Sequence, residues 1–213
     1  MLYQLSYLAV GHDAIEAAPE SAWRPRRRLT EDNGSMSNER RLYVLRHVKS
    51  SWDEPGRPDH DRPLAPRGRK ALKVLADYVS SHEIHPDLVL CSSARRTLDT
   101  LAGIAPTGTH LIERPLYDAS ADQLIERLRR IPADTGSVMV IGHNPAMQML
   151  VLKLSSARDA SPAGALDGDL GEIQRKFPTG ALATLSLSCD WRSLHAGCAE
   201  LSAYIQPKAL LYR

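Results

Sequence analysis

The stretch Leu42-Tyr43-Val44-Leu45-Arg46-His47-Val48-Lys49-Ser50 sets the fold class. Four apolar or aromatic residues run straight into an Arg-His pair. A short apolar run of this kind reads as a strand buried on both faces of a sheet. The polar pair then stands at the strand's C-terminal edge, where ligands bind in open α/β sheets. Arginine offers a planar fork of donors that matches phosphate oxygens. A neutral imidazole beside it can serve as a nucleophile. An isolated Arg-His pair more often just opens a surface loop, so the weight of this one depends on what the other strands end in.

Working outward, the 213 residues suffice for one α/β domain with a substantial core and a tail. The formal net charge of +2 implies no polyelectrolyte role, so any attraction for anions must be local. Cys91, Cys189 and Cys198 show no metal-type spacing, and their odd number points to reduced thiols in the cytoplasm. No apolar run is long enough to span a bilayer. Met1 to Val10 is mildly apolar, but Gln4 and Ser6 interrupt it and no basic residue precedes it, which argues against a secretory signal. Residues 1–40 carry few large apolar side chains and charges in blocks, the composition of a disordered extension. Met36, just ahead of the first strand, is a candidate for the true start. The basic cluster Arg24 to Arg28 reads as part of a solvated tail rather than as a nucleic-acid or membrane contact. The folded domain is expected over 41–213.

Ser51 to Asp61, rich in Pro and Asp, should form a loop over the site. A helix opening at Pro66 or Arg67 follows, with Leu72, Leu75, Ala76 and Val79 as its apolar stripe. Leu88 to Leu90 form a second buried strand ending in Cys91-Ser92-Ser93. Ser92 or Ser93 is expected to cap the next helix, whose inner face is Leu98, Leu101 and Ala102. Arg95 and Arg96 fall in its first turn, where the dipole disfavours a cation unless an anion sits beside it. Thr109 to Ile112 is a third strand, and Ser120-Ala121-Asp122-Gln123 has the form of a capping box before a helix carrying Leu124, Ile125 and Leu128. Val138 to Ile141 is a fourth buried strand, ending in Gly142-His143-Asn144-Pro145. Asn144 suits a helix N-cap and Pro145 a first helical residue. Ser155 to Arg175 reads as a mobile loop forming part of a lid. Thr184 to Ser188 and Glu200 to Ile205 suggest an antiparallel pair that finishes the sheet.

Three strand ends thus deliver Arg46 with His47, Arg96, and His143. Right-handed crossovers bring such ends to one edge of a parallel sheet. The predicted architecture is a three-layer α/β/α sandwich with a mostly parallel central sheet and an antiparallel C-terminal strand pair. Neither a carboxylate cluster with metal-ligand spacing nor a Walker-type glycine loop accompanies the pocket, so neither metal nor cofactor is expected there.

These motifs resemble the histidine phosphatase, or phosphoglycerate-mutase-like, superfamily. Arg46 to Trp52, Asp61 to Gly68, Cys91 to Arg96, Val140 to Pro145 and Phe177 to Ala181 are similar to its short bacterial phosphohistidine phosphatase branch, over roughly Arg41 to Lys208. The resemblance implies that His47 attacks phosphorus, that Arg46 and Arg96 hold phosphate oxygens, and that His143 stabilises the transferring group. Arg62 and Asn144 are further substrate-binding candidates. The implied partner is a phosphorylated substrate, among which a phosphohistidine-bearing protein stands first. Val48 stands where the family has a small residue and is expected to narrow the site. The carboxylate acid of larger members has no evident counterpart, with Asp118 and Glu113 near only in sequence. A missing acid favours a leaving group such as imidazole, which departs more readily than an alkoxide. A small-molecule phosphomonoesterase remains open, and Asp118, Glu113 or an acid in the 51–61 loop within reach of the leaving group would favour it. A phosphate-binding module without turnover is the non-enzymatic alternative.

Overall fold

The computed structural model describes residues 40–155 and 168–210. The expected disordered extension lies outside the described residues, apart from Arg40, which already belongs to the first strand. Six strands form one mixed sheet: β1 (Arg40–Arg46), β2 (Leu88–Ser92), β3 (Thr109–Glu113), β4 (Ser137–Gly142), β5 (Leu182–Leu187) and β6 (Ala199–Ile205). Their order is β3-β2-β4-β1-β5-β6. The first four are mutually parallel, while β5 runs antiparallel to both β1 and β6. The three strands whose ends carry the candidate residues are therefore immediate neighbours, with β4 between β2 and β1.

Alternation along each central strand feeds two cores. Leu42 and Val44, Leu88 and Leu90, and Val138 and Val140 face one side. Tyr43 and Leu45, Val89 and Cys91, and Met139 and Ile141 face the other. Helices α1 (Pro66–Ser81) and α2 (Arg95–Ile104) cover the second face through Leu75, Val79, Leu101 and Ile104. Helices α3 (Ala121–Leu128), α4 (Ala146–Ser155) and α5 (Gly168–Arg175) cover the first through Leu124, Leu128, Leu150, Leu154 and Ile173. A short α6 (Pro207–Leu210) ends the described chain. The three-layer sandwich follows from these two apolar faces.

Four local expectations change. The helix α2 is capped by neither serine: its N-cap is Ala94, and Ser92 is engaged elsewhere. Its inner face is Arg96, Thr97, Thr100, Leu101 and Ile104, while Ala102 is exposed. This turns the start of the helix toward the strand ends. At α4 the helix starts at Ala146, after a cis Asn144–Pro145 bond, so Pro145 is not helical and Asn144 bonds to other partners. The expected 155–175 loop contains the helix α5, because Ile173 has a core place to fill; residues 156–167 lie outside the described part.

Candidate active site

The backbone around His47 is fixed from several sides. The His47 N–H donates to Gly142 O of β4 at 3.1 Å, and Val48 N–H donates to Thr100 Oγ1 of α2 at 3.2 Å. Gly180, with φ +81°, aims its N–H at both Arg46 O (3.1 Å) and His47 O (3.0 Å). On the opposite side α1 comes so close that a Cβ on Gly68 would stand 2.0 Å from Lys49 O. Val48 does not narrow the site: its side chain is wholly buried in the core beside Leu45 and Leu64.

The ring of His47 has one tautomer available. Its Nδ1 lies 2.7 Å from Val48 O, which can only accept, so Nδ1 carries the hydrogen and Nε2 keeps a bare lone pair. The His143 ring stands 5.1 Å away, centroid to centroid, with Nε2 bonded to Ser92 Oγ at 2.8 Å. Serving His143 is the task that keeps Ser92 from capping α2. His47, Arg96 and His143 are each less than a tenth exposed. Burial, reinforced by the positive charges of Arg96 and Arg46, pushes His47 down to about 3 and His143 down to about 4. Both imidazoles are therefore neutral at physiological pH, as a nitrogen nucleophile must be.

Two guanidiniums face these rings. Arg46 Nη1 donates to Phe177 O at 2.7 Å, while its buried Nε has no protein partner. Arg96 donates through Nη1 to Asp59 O (2.6 Å) and through Nη2 to Asp59 Oδ2 (2.9 Å), leaving three of its five N–H donors. The neighbouring Arg95 is exposed and pairs with Asp99 along the helix. His143 Nδ1 is buried without a protein partner as well. Buried unpaired donors and acceptors are costly, and they gather where a ligand would satisfy them.

Arg62 and Asn144 reach the same neighbourhood as braces. Each of the three Arg62 nitrogens is bonded within the protein: Nε to Ser51 O (2.8 Å), Nη1 to Asp59 Oδ1 (2.7 Å), Nη2 to Ser50 Oγ (2.9 Å). Asn144 donates from Nδ2 to Phe177 O (3.2 Å), the same carbonyl that holds Arg46, and to Gln148 Oε1 (3.2 Å).

Sequence reasoning missed Asp59, Tyr117 and His60. Asp59 accepts from both Arg62 and Arg96, and Tyr117 Oη donates to its Oδ2 at 2.6 Å. The Tyr117 bond, followed by the two arginines, holds this carboxyl well below the usual carboxylate range. The aromatic edge of Tyr117 meets His143 at 5.3 Å and His60 at 5.0 Å between centroids. Neither acid considered earlier reaches this cluster. Glu113 is engaged by Arg127, at 2.6 Å to the nearest nitrogen, and Asp118 is exposed. Cys91 is a buried thiol pushed up to about 12 by its burial, which leaves it inert.

A strand-end cluster of two neutral imidazoles and two arginines is chemistry suited to holding a phosphoryl group. The family model of the histidine phosphatase superfamily (branch 1) matches residues 42–116. An uncharacterized protein of Mycobacterium tuberculosis is 32% identical over 164 residues, which is 77% of this chain and 100% of that one. Among solved structures, a candidate phosphohistidine phosphatase SixA of Nakamurella multipartitia aligns with a TM-score of 0.69 at 31% identity, covering 79% of this chain and 96% of that one. Another candidate SixA, from Agrobacterium tumefaciens, gives 0.62 at 25% identity, covering 79% and 98%. The chain belongs to the histidine phosphatase superfamily. It is similar to the SixA group, and by family it is a phosphatase. Among the described residues no helix is long and apolar enough to cross a membrane.

Proposed function

We propose that the chain hydrolyses phosphohistidine on a protein substrate through a covalent phosphohistidine on His47. The observation that carries this reading is the tautomer lock: the Nδ1 bond to Val48 O leaves Nε2 as the free nucleophile between Arg46, Arg96 and His143. In the first step Nε2 attacks phosphorus and the P–N bond to the substrate imidazole breaks, that imidazole taking a proton from water. In the second, water attacks the phosphoenzyme, the P–Nε2 bond breaks and inorganic phosphate leaves. Arg46 and Arg96 take up the charge on the phosphoryl oxygens, and His143 Nδ1 serves a further oxygen. Positioning and charge stabilisation of this kind are what phosphoryl transfer demands of a protein. Neither step needs a metal.

The choice of leaving group follows from Asp59. A carboxylate from the 51–61 loop does reach the site, the feature that would favour a small phosphomonoester. Its bonds to Tyr117, Arg62 and Arg96 keep it ionised, so it has no proton to give. An imidazole leaving group needs little such help, whereas an alkoxide does.

Single-turnover assays of the wild type and His47→Ala test this, run in chelator with a phosphohistidine-bearing protein and an alkyl phosphate. Loss of phosphate from the protein substrate, with an acid-labile phosphoenzyme only in the wild type, is expected. Turnover of the alkyl phosphate alone would move the assignment to a small-molecule phosphomonoesterase. Phosphate binding with no phosphoenzyme from either substrate would leave a binding module.

A further inference from the structure

The sequence shows no metal-type spacing among its cysteines, yet the β5–β6 connection gathers Cys189, His195 and Cys198. One potential ligand atom from each lies within 4.8 Å of the other two. We propose that these three side chains bind a Zn²⁺ ion, remote from the phosphatase centre, with the fourth position open to water. Two thiolates and an imidazole form the donor set that a borderline-soft, tetrahedral cation prefers. In a tetrahedral site with Zn–S of about 2.3 Å and Zn–N of about 2.0 Å, neighbouring ligand atoms stand roughly 3.5–3.8 Å apart. The observed spread thus needs only about an ångström of closure.

The surroundings look built for this. His195 Nδ1 lies 2.8 Å from Ser193 O, which fixes the hydrogen on Nδ1 and leaves the Nε2 lone pair for a metal. The His195 backbone N–H donates to Cys198 Sγ at 3.3 Å, a bond that steadies a thiolate. Cys198 O accepts from both Ser188 N (2.9 Å) and Ser188 Oγ (2.9 Å). Gly197, at φ +78°, makes the turn into Cys198 and ties its N–H to Lys153 O at 3.1 Å. Trp191, fully buried, anchors the middle of the loop through Nε1 to Thr135 O at 2.8 Å. The ligands therefore sit on a braced loop. Cys198 is buried, Cys189 is half-buried and His195 is exposed, so the open side of the site faces solvent and can take water as a fourth ligand.

The place in the fold separates this site from catalysis. Leu187, two residues before Cys189, pairs with Arg40 at the start of β1, whereas His47 follows the other end of that strand. Seven residues of strand at about 3.3 Å each put roughly 20 Å between them. A bound ion would tie the end of β5 to the start of β6 and leave the phosphoryl site alone.

The test titrates reduced, metal-stripped full-length protein with Co²⁺ and then Zn²⁺. The expected result is one equivalent of Co²⁺ with a thiolate-to-metal charge-transfer band and tetrahedral ligand-field bands, bleached by Zn²⁺. Melting temperature should rise with Zn²⁺, and phosphatase activity should stay constant. Cys189→Ser should weaken the charge-transfer band. His195→Gln, an exposed change that leaves the fold intact, should lower affinity by about tenfold or more. The absence of a charge-transfer band in the wild type, or binding unaltered in both variants, would overturn the proposal.

Discussion

The site has two halves of different origin. One half stands on strand ends: Arg46 ends β1 and His47 follows it, Ser92 ends β2 with Arg96 in the helix beyond, and His143 follows β4. The other is carried by connections: Asp59, His60 and Arg62 from the 51–62 segment, and Tyr117 from the turn after β3. The first half holds the proposed nucleophile and phosphate ligands; the second holds the carboxylate that pins Arg96 and Arg62. Strand ends place chemistry by the register of the sheet, connections by individual hydrogen bonds. Reactivity should therefore depend mostly on the first half and orientation on the second.

Breaking the strand-end half should have the largest effect. His47→Ala should remove the phosphoenzyme and all covalent turnover, seen in single-turnover gels, with circular dichroism unchanged. Arg96→Ala should lower kcat on the order of a hundredfold or more, as loss of a preorganised charge donor does. Arg96→Lys should recover little of it, because a point charge cannot hold both the Asp59 backbone oxygen and its carboxylate. Asp59→Asn should cost about tenfold through loss of positioning, less than the hundredfold or more expected for loss of a direct donor. That loss should be equal for phosphohistidine and for an aryl phosphate of good leaving group. A loss confined to poor leaving groups would show instead that Asp59 donates a proton.

A smaller effect sharpens the same contrast through pH. His47 and His143 have folded values of about 3 and about 4 against 6.5 when exposed. Below about pH 6.5 the unfolded chain binds more protons at these two rings than the folded one, so stability must fall as pH falls toward 4. Denaturant midpoints between pH 7 and 4.5 should decline, and His143→Gln should decline less. Asp59 acts in the same direction at lower pH, since its depressed value makes its contribution vanish on protonation.

The strand-end half was legible because apolar runs such as Leu42 to Leu45 and Val138 to Ile141 stop abruptly at basic residues. Burial demands the runs, and topology brings their ends together. The connection half was not legible. Asp59 meets Arg96 across 37 residues and Tyr117 across 58, with no periodicity linking them. The weak pointer was Asp59 three residues before Arg62, a spacing that one short 3-10 turn (Asp59–Asp61) converts into an ion pair. Misreadings at the helix starts share one cause. Ser92 and Asn144 have the chemistry of caps, but a buried His143 and the Phe177 carbonyl compete for them, and tertiary partners prevail.

The close approach of Gly68 to Lys49 O, and the bifurcated hydrogen bond from Gly180 N–H to Arg46 O and His47 O, have a consequence for how such an enzyme can be altered. His47 is held in place by glycine-mediated contacts from a helix and from the antiparallel side, without help from most of the loop that borders it. Selectivity can then be exchanged without rebuilding the catalyst. The exposed residues 53–57 are the part of that loop open to replacement, and the two glycines are the positions at which even a single methyl group would be inherited as a defect.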